Sequence, residues 1–258
     1  MKHELQITVL GSGTSQGVPV IACNCKVCTS KDQKDKRLRC SILISYNGEN
    51  FVVDAGPDFR YQMLRENVQT LRAVLFTHEH KDHISGLDDV RAFNFKEERD
   101  MEVYCSERVE VALRREFHYV FDEDRYPGVP LIQLHTINKE QFILPGKLEV
   151  QPIEVMHYKM PVLAFRVNDF AYITDAKTIS EVEKEKLKGV KVLIVNALRL
   201  EEHISHFNLA EALELIKEIN PEKAYLTHIS HLFGTHDEIQ ALCPPNVYPA
   251  YDGLKIAL

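Results

Sequence analysis

The chain has 258 residues, 45% hydrophobic and 27% charged, the make-up of a globular protein long enough to bury a sizeable core. A formal net charge of −7 argues against a general nucleic-acid or membrane-surface binder, which needs clustered lysine and arginine. No run has the apolar length of a signal-peptide core or a membrane-spanning helix, so a cytoplasmic protein is expected.

Strand signals come first. Leu5, Ile7 and Val9 alternate with polar residues, and strands are predicted over 5–10, 40–46, 50–54 and 72–77. Two motifs lie between the first two strands. In GSGTSQG, Gly11, Gly13 and Gly17 are spaced GxGxxxG, which is not the dinucleotide-binding spacing, so they are read as turn-makers. In IACNCKVC, Cys23, Cys25 and Cys28 form C-x-C-x2-C. Six cysteines in a reducing compartment are thiols or metal ligands rather than disulfides. Three this close point to a structural zinc lacking one ligand, with free buried thiols as the alternative. Helical patterns follow over 58–66 and 86–95, then the strand MEVYC and an amphipathic helix, ERVEVALRREF. The turn-rich FDEDRYPGVP at 121–130 is read as the meeting point of two halves of one domain spanning 1–258. The second half repeats the theme with strands near 147–156, 162–167, 170–174 and 190–195. A helix over 208–219 then ends at Asn220–Pro221, and KAYLT forms a strand leading to His228. Helices recur between strands in both halves. This α/β pattern fits two sheets packed face to face with helices outside, better than a doubly wound parallel sheet.

The chemistry concentrates in HEHKDH, at the end of an apolar strand closed by Thr77. His78 and His80, two apart, can point the same way from an extended backbone, and Asp82 and His83 then face a neighbouring position. Imidazole and carboxylate together suit zinc, manganese or iron, and two adjacent ions are more natural than one. Three further donors close strand-like runs downstream: His157 ends LEVQPIEVMH, Asp175 ends FAYITD, and His228 ends KAYLTH. Asp54, in FVVDAG, reads either as support for the ligand loop or as a turn residue before Gly56–Pro57.

HxHxDH followed by single His, Asp and His residues resembles the metallo-β-lactamase superfamily, over almost the whole chain. The resemblance implies an αββα sandwich of two mixed β-sheets flanked by helices. It also implies that His78, His80 and His157 hold one divalent ion, zinc or manganese, and that Asp82, His83 and His228 hold a second. Asp175 would bridge the two, and a hydroxide shared between the ions would attack the substrate. The superfamily's members are often dimers, so a homodimer is in keeping with it.

GSGTSQGVPVIACNCKVC and the paired histidines of THISH are similar to the cyclic phosphodiesterases of the carbon–phosphorus lyase pathway, which act on a phosphoribosyl cyclic phosphate. A small phosphodiester substrate is therefore expected, with neither nucleic acid nor membrane as partner. His231, three residues past His228, is the expected fourth ligand of the structural zinc. In HISHFNLAEAL, His206 is the expected proton donor to the leaving alkoxide, with His203 its competitor. A ribonuclease Z-like processor shares HEHKDH but would carry a basic arm. A thioester hydrolase would usually carry an extra helical region. The accessory protein of pyrroloquinoline quinone synthesis shares the cysteine cluster and is the non-enzyme alternative. Lys177 and Arg199 are read as solvated surface cations.

Overall fold

The computed structural model describes residues 5–258. Strands β1 (Leu5–Gly11), β2 (Ser41–Tyr46) and β3 (Glu49–Val53) form an antiparallel meander. Helix α1 (Phe59–Arg65) leads to β4 (Ala73–Leu75). The short α2 (Lys81–Ile84), a 3-10 turn at Leu87–Val90 and α3 (Arg91–Glu97) then lead to β5 (Met101–Cys105). Helices α4 (Glu107–Glu116) and α5 (His118–Phe121) precede β6 (Ile132–Thr136). Strands β3 to β6 pair in parallel, because helical crossovers rather than hairpins join them.

The second sheet repeats the scheme. Strands β7 (Phe142–Leu144), β8 (Leu148–His157), β9 (Met160–Val167) and β10 (Phe170–Ile173) run antiparallel. After β11 (Thr178–Ile179) and α6 (Glu181–Glu185) come β12 (Val192–Asn196), α7 (Leu209–Ile219) and β13 (Lys223–Thr227). Helix α8 (His236–Leu242), β14 (Val247–Pro249) and β15 (Lys255–Ala257) complete the chain. The sheet orders are β15-β1-β2-β3-β4-β5-β6 and β11-β8-β9-β10-β12-β13-β14, with β7 on β8. Both sheets are mixed and flanked by helices, as expected from the resemblance.

Three apolar layers hold the sandwich. Ile7, Ile44 and Phe51 of one sheet meet Val150, Phe165 and Tyr172 of the other in the middle layer. Helices cover the outer faces, through Val74, Leu87, Phe93 and Leu113 on one side and Leu193, Leu215, Ile216 and Leu226 on the other. Strands such as VLIVN are buried on both faces, which is why they carry no polar alternation. Helix α7 starts on a capping box in which the Asn208 side chain accepts from the Glu211 N–H and Glu211 accepts from the Asn208 N–H.

Two features depart from the sequence reading. Strand β6 still belongs to the first sheet, so the chain crosses between sheets after Thr136 rather than within 121–130. Strand β15 then returns to pair with β1. The second half of HEHKDH is not loop either: Asp82 and His83 lie on α2, with His80 extended before it at φ −63° and ψ 149°.

Candidate active site

Parallel strands in each sheet deliver their C-terminal ends to one rim. Asp54 follows β3, Thr77 and His78 follow β4, Asp175 follows β10 and His228 follows β13, while His157 ends β8. Three of these residues take left-handed backbone: φ is +66° at Asp54, +56° at Asp175 and +57° at His228. Non-glycine residues held there cost free energy and persist where surrounding structure over-determines them. Here that structure is visible. The Asp54 N–H donates to the Leu75 carbonyl at 2.9 Å, and the Ile229 N–H to the Ser12 carbonyl at 2.9 Å. Beside Asp175, the Asn196 amide clasps Ala176, accepting from its N–H at 2.8 Å and donating to its carbonyl at 3.0 Å.

All seven expected active-site ligands converge. The rings of His78 and His80 stand 4.6 Å apart, those of His80 and His157 5.2 Å, and those of His78 and His157 5.9 Å. A second group centres on Asp175. Its Oδ2 lies 3.3 Å from His83 Nε2 and 3.2 Å from His228 Nδ1, and His83 Nε2 is also 3.1 Å from Asp82. Asp175 belongs to both groups: its carboxylate and the donor atoms of His78 and His83 lie within 4.8 Å of one another, as do those of His157, Asp175 and His206.

The histidines are held from behind. Asp54, fully buried, accepts from His83 Nδ1 at 2.7 Å, from the Thr77 N–H at 2.9 Å and from the Thr77 hydroxyl. Because that hydroxyl donates to Asp54, its lone pair accepts from His78 Nδ1 at 2.9 Å. His157 Nδ1 donates to the Ser205 carbonyl at 2.9 Å. In all three rings Nδ1 is spoken for, which leaves Nε2 as a lone-pair donor, the arrangement metal-ligating histidines need. His228 is oriented differently: Thr14 Oγ1 lies 3.0 Å from its Nε2, and Nδ1 faces Asp175. Four of these inward atoms, His78 Nε2, His83 Nε2, His206 Nδ1 and His228 Nδ1, are buried without a hydrogen-bond partner among the described residues. Buried lone pairs in this state fit a cation.

The electrostatics agree. Burial works against ionised Asp175, yet His228 and His83 hold its carboxyl well below the usual range. Burial also lowers His83, but Asp54, Asp175 and Asp82 outweigh it and keep the ring well above its ordinary value. His228 is likewise raised to about 10 against burial, chiefly by Asp175. Burial and the neighbouring His83 push His78 well below. The buried Asp54 and Asp175 and the half-buried Asp82 in one cluster demand compensating positive charge, which divalent ions would bring.

His206 lies inside this cluster, its ring 4.5 Å from His157 and 4.6 Å from His228, and burial pushes it down to about 2. His203 is one ring further out, 5.1 Å from His206 and half-buried. Cys23, Cys25 and Cys28 gather around His231, with Sγ to Nδ1 distances of 3.3, 3.5 and 3.5 Å. The Cys28 N–H, first, and His231 lower Cys25 to about 6, while burial raises Cys28 to about 11. This four-donor cluster fits the structural zinc, and among the described residues all six cysteines are free of disulfides. Lys177 and Arg199 are engaged with Glu211 and with Glu201 and the Glu202 carbonyl, respectively.

Sequence reasoning did not reach the partners. Thr77, Asn196, Thr14 and Ser205 each fix a ligand or its neighbour. Thr77 and Asn196 left the one available trace, a polar residue closing an apolar strand. The glycine-rich loop is part of the same apparatus. Gly13 bridges to Arg39 and Ile229, which brings Thr14 onto His228.

The fold is the metallo-β-lactamase sandwich, and its rim gathers a cluster of residues able to hold metal. The sequence profile of the beta-lactamase superfamily domain matches residues 49–229, and the chain belongs to that superfamily. The crystal structure of a new diphosphatase from the PhnP family is 35% identical, with a TM-score of 0.93 over 99% of this chain and 97% of that one. Zinc-bound PqqB from Methylobacterium extorquens shares the fold at 19% identity, with a TM-score of 0.81 over 98% of this chain and all of that one. An octanoyltransferase from Porphyromonas gingivalis is 39% identical over 253 residues, 97% of this chain and 51% of that protein. The chain therefore spans about half the length of that relative.

Proposed function

We propose that this chain hydrolyses a small phosphoric diester, a cyclic phosphodiester of the phosphoribosyl type being the reading carried from the sequence. The observation that carries it is Asp175 shared between two groups of ligands, the layout of a two-ion site. His78, His80 and His157 would hold one zinc or manganese ion, and Asp82, His83 and His228 the other. When bound, two such ions activate water and neutralise charge developing at phosphorus.

The chain's own residues do the rest. Asp54, Thr77 and Ser205 keep the ligand rings in one tautomer and orientation. His206, beside both ligand groups, would deliver a proton to the leaving oxygen, its ring taking up that proton once the negative charge of a bound phosphate offsets the burial that keeps it neutral. His203 is the competing donor: its Nδ1 accepts from the Ser205 N–H at 3.3 Å, so its neutral ring carries the proton on Nε2. A zinc held by Cys23, Cys25, Cys28 and His231 would pin the THISH loop that presents His228. With a net charge of −7, attraction for a phosphate has to be local, which supports a small substrate over nucleic acid. No helix among the described residues is long and apolar enough to cross a membrane. We place the protein in the cytoplasm, where a homodimer is in keeping with the superfamily.

The similarity to a PhnP-family diphosphatase favours a second reading, cleavage of a diphosphate at the same centre. The deciding assay is hydrolysis of bis(p-nitrophenyl) phosphate with added manganese or zinc. Asp82→Ala is expected to abolish turnover. His206→Ala is expected to keep both metals and lose turnover by roughly 10²–10⁴-fold. Wild-type turnover in His206→Ala would move the role to His203. Metal-loaded protein without turnover would refute the phosphodiesterase reading and direct the assay to octanoyl thioesters, prompted by the relative's name. Protein holding only the cysteine-bound zinc would support an accessory role.

A further inference from the structure

A cavity of about 280 Å3 lies at the β14 edge of the second sheet, apart from the metal-ligand cluster. Lys223 opens β13 and His228 follows its far end, so a rise of about 3.3 Å per residue separates the two by roughly 16 Å. Tyr225 on β13 and Tyr248 on β14 are paired neighbours, their ring centroids 5.7 Å apart. Tyr251 meets the His236 ring edge to face at 5.8 Å and has Lys34 Nζ over its own ring at 5.0 Å. Gln240, Pro249 and Leu254 complete the lining. In a chain of net charge −7, this lining holds two lysines and, among the described residues, no carboxylate.

The polar atoms of the lining are unspent. Among the described residues, Lys34 and Lys223 make no ion pair, and the three tyrosine hydroxyls make no hydrogen bond. More positive charge stands behind them. Arg37 is 2% exposed, and its side chain meets only uncharged partners: the Ser12 hydroxyl at 2.9 Å, the Ala250 carbonyl, and His236 Nδ1 at 3.4 Å. A guanidinium can only donate, so Nδ1 accepts and the neutral His236 ring carries its proton on Nε2. Gln240 is fixed in a similar way: its Nε2 donates to the Val247 carbonyl at 3.3 Å, which leaves Oε1 to accept. Unpaired cations and a ring N–H suit an anion, and phenol rings beside them offer a stacking face. The volume, just under that of drug-sized sites, admits one small molecule and not a polymer. We infer that this cavity is a second ligand site, separate from the metal centre, and that it takes a mononucleotide, with phosphate on Lys34, Lys223 and His236 Nε2 and the base against the tyrosines. The inference does not rest on the phosphodiester reading.

Equilibrium dialysis of the metal-loaded protein against AMP, adenosine and inorganic phosphate tests this. AMP is expected to bind at least ten-fold more tightly than adenosine or phosphate, each of which keeps only part of the contacts. Tyr251→Leu should weaken AMP binding about ten-fold, the scale of one lost base–aromatic stack. Lys34→Glu, which reverses a charge at an exposed position, should weaken it at least as much and guards against a variant that fails to fold. Both variants should keep the wild-type metal content. An AMP affinity unchanged in both would place the nucleotide at the metal cluster and overturn the assignment. So would no retention of AMP at millimolar concentration, or phosphate or adenosine binding as tightly as AMP. Turnover of bis(p-nitrophenyl) phosphate, read separately, should be retained in both variants, so the failure of this site and the failure of the phosphodiester reading are told apart.

Discussion

Replacing Gly56 by alanine puts a methyl group where there is no room for one. Its Cβ would stand 2.0 Å from the Asp82 carbonyl oxygen, and a Cβ on the nearby Gly86 would stand 2.0 Å from the Gly56 carbonyl oxygen. Ordinary contact begins at 3.4 Å, so relief of the first clash needs a shift of about 1.4 Å. Both opposing groups are backbone, and no flexible side chain can absorb it. The displacement falls on α2, which carries Asp82 and His83. Misplacing a reacting constellation by about 1 Å costs on the order of 10²-fold in rate, and overpacking costs about 1–3 kcal/mol in stability. Gly56→Ala is therefore expected to lower kcat/KM on bis(p-nitrophenyl) phosphate about 10²-fold, with a smaller urea midpoint. Gly48→Ala is the control. It lies in the β2–β3 turn at φ +83° with nothing within 4 Å of its Cβ, so it strains the backbone far from the rim. It should lose stability but retain turnover per folded molecule. Wild-type kcat/KM in Gly56→Ala, or an equal loss in Gly48→Ala, would refute the close-approach argument.

Three further outcomes are expected. Asp54→Asn keeps the shape but removes the charge that His83 and Thr77 donate to, and should weaken metal binding about 10–100-fold in chelator competition; unchanged affinity would reduce Asp54 to a turn residue. Cys25→Ser should remove one zinc per chain by elemental analysis and loosen the metal site fed by His228, and unaltered zinc content and metal binding would rule out the pinning role. Glu238 is held down to about 2, first by Lys26 and then by the Thr235 N–H and hydroxyl, against an ordinary value of 4.5. Its folded value lies below the unfolded one, so its contribution is complete above pH 4.5 and is lost as pH falls towards about 2. Melting curves of wild type and Glu238→Gln should therefore converge across that window, and a constant difference would contradict the assignment.

Much of the site was legible because its chemistry is local or sits at strand ends. HEHKDH places four donors in six positions, and His157, Asp175 and His228 each close a run whose β-branched, apolar residues mark a strand. Asp54 stayed ambiguous in the sequence because a turn aspartate before Gly56–Pro57 reads identically. Its role rests on three donors that arrive 23 and 29 residues later in the chain. The boundary near 121–130 misled for a related reason. Turn-forming residues signal a loop, but sheet membership is set by pairing, and β6 finds its partner in β5.

By itself the sequence determined the elements, the donor types and the strand ends that carry them, since periodicity and turn chemistry act over a few residues. Only the tertiary structure decided which donors meet. Thr14 reaches His228 across 214 positions, and Ser205 reaches His157 across 48, because strand order brings their loops to one rim. The same convergence selects the free nitrogen of each ring, seats His206 among the ligands and leaves His203 outside.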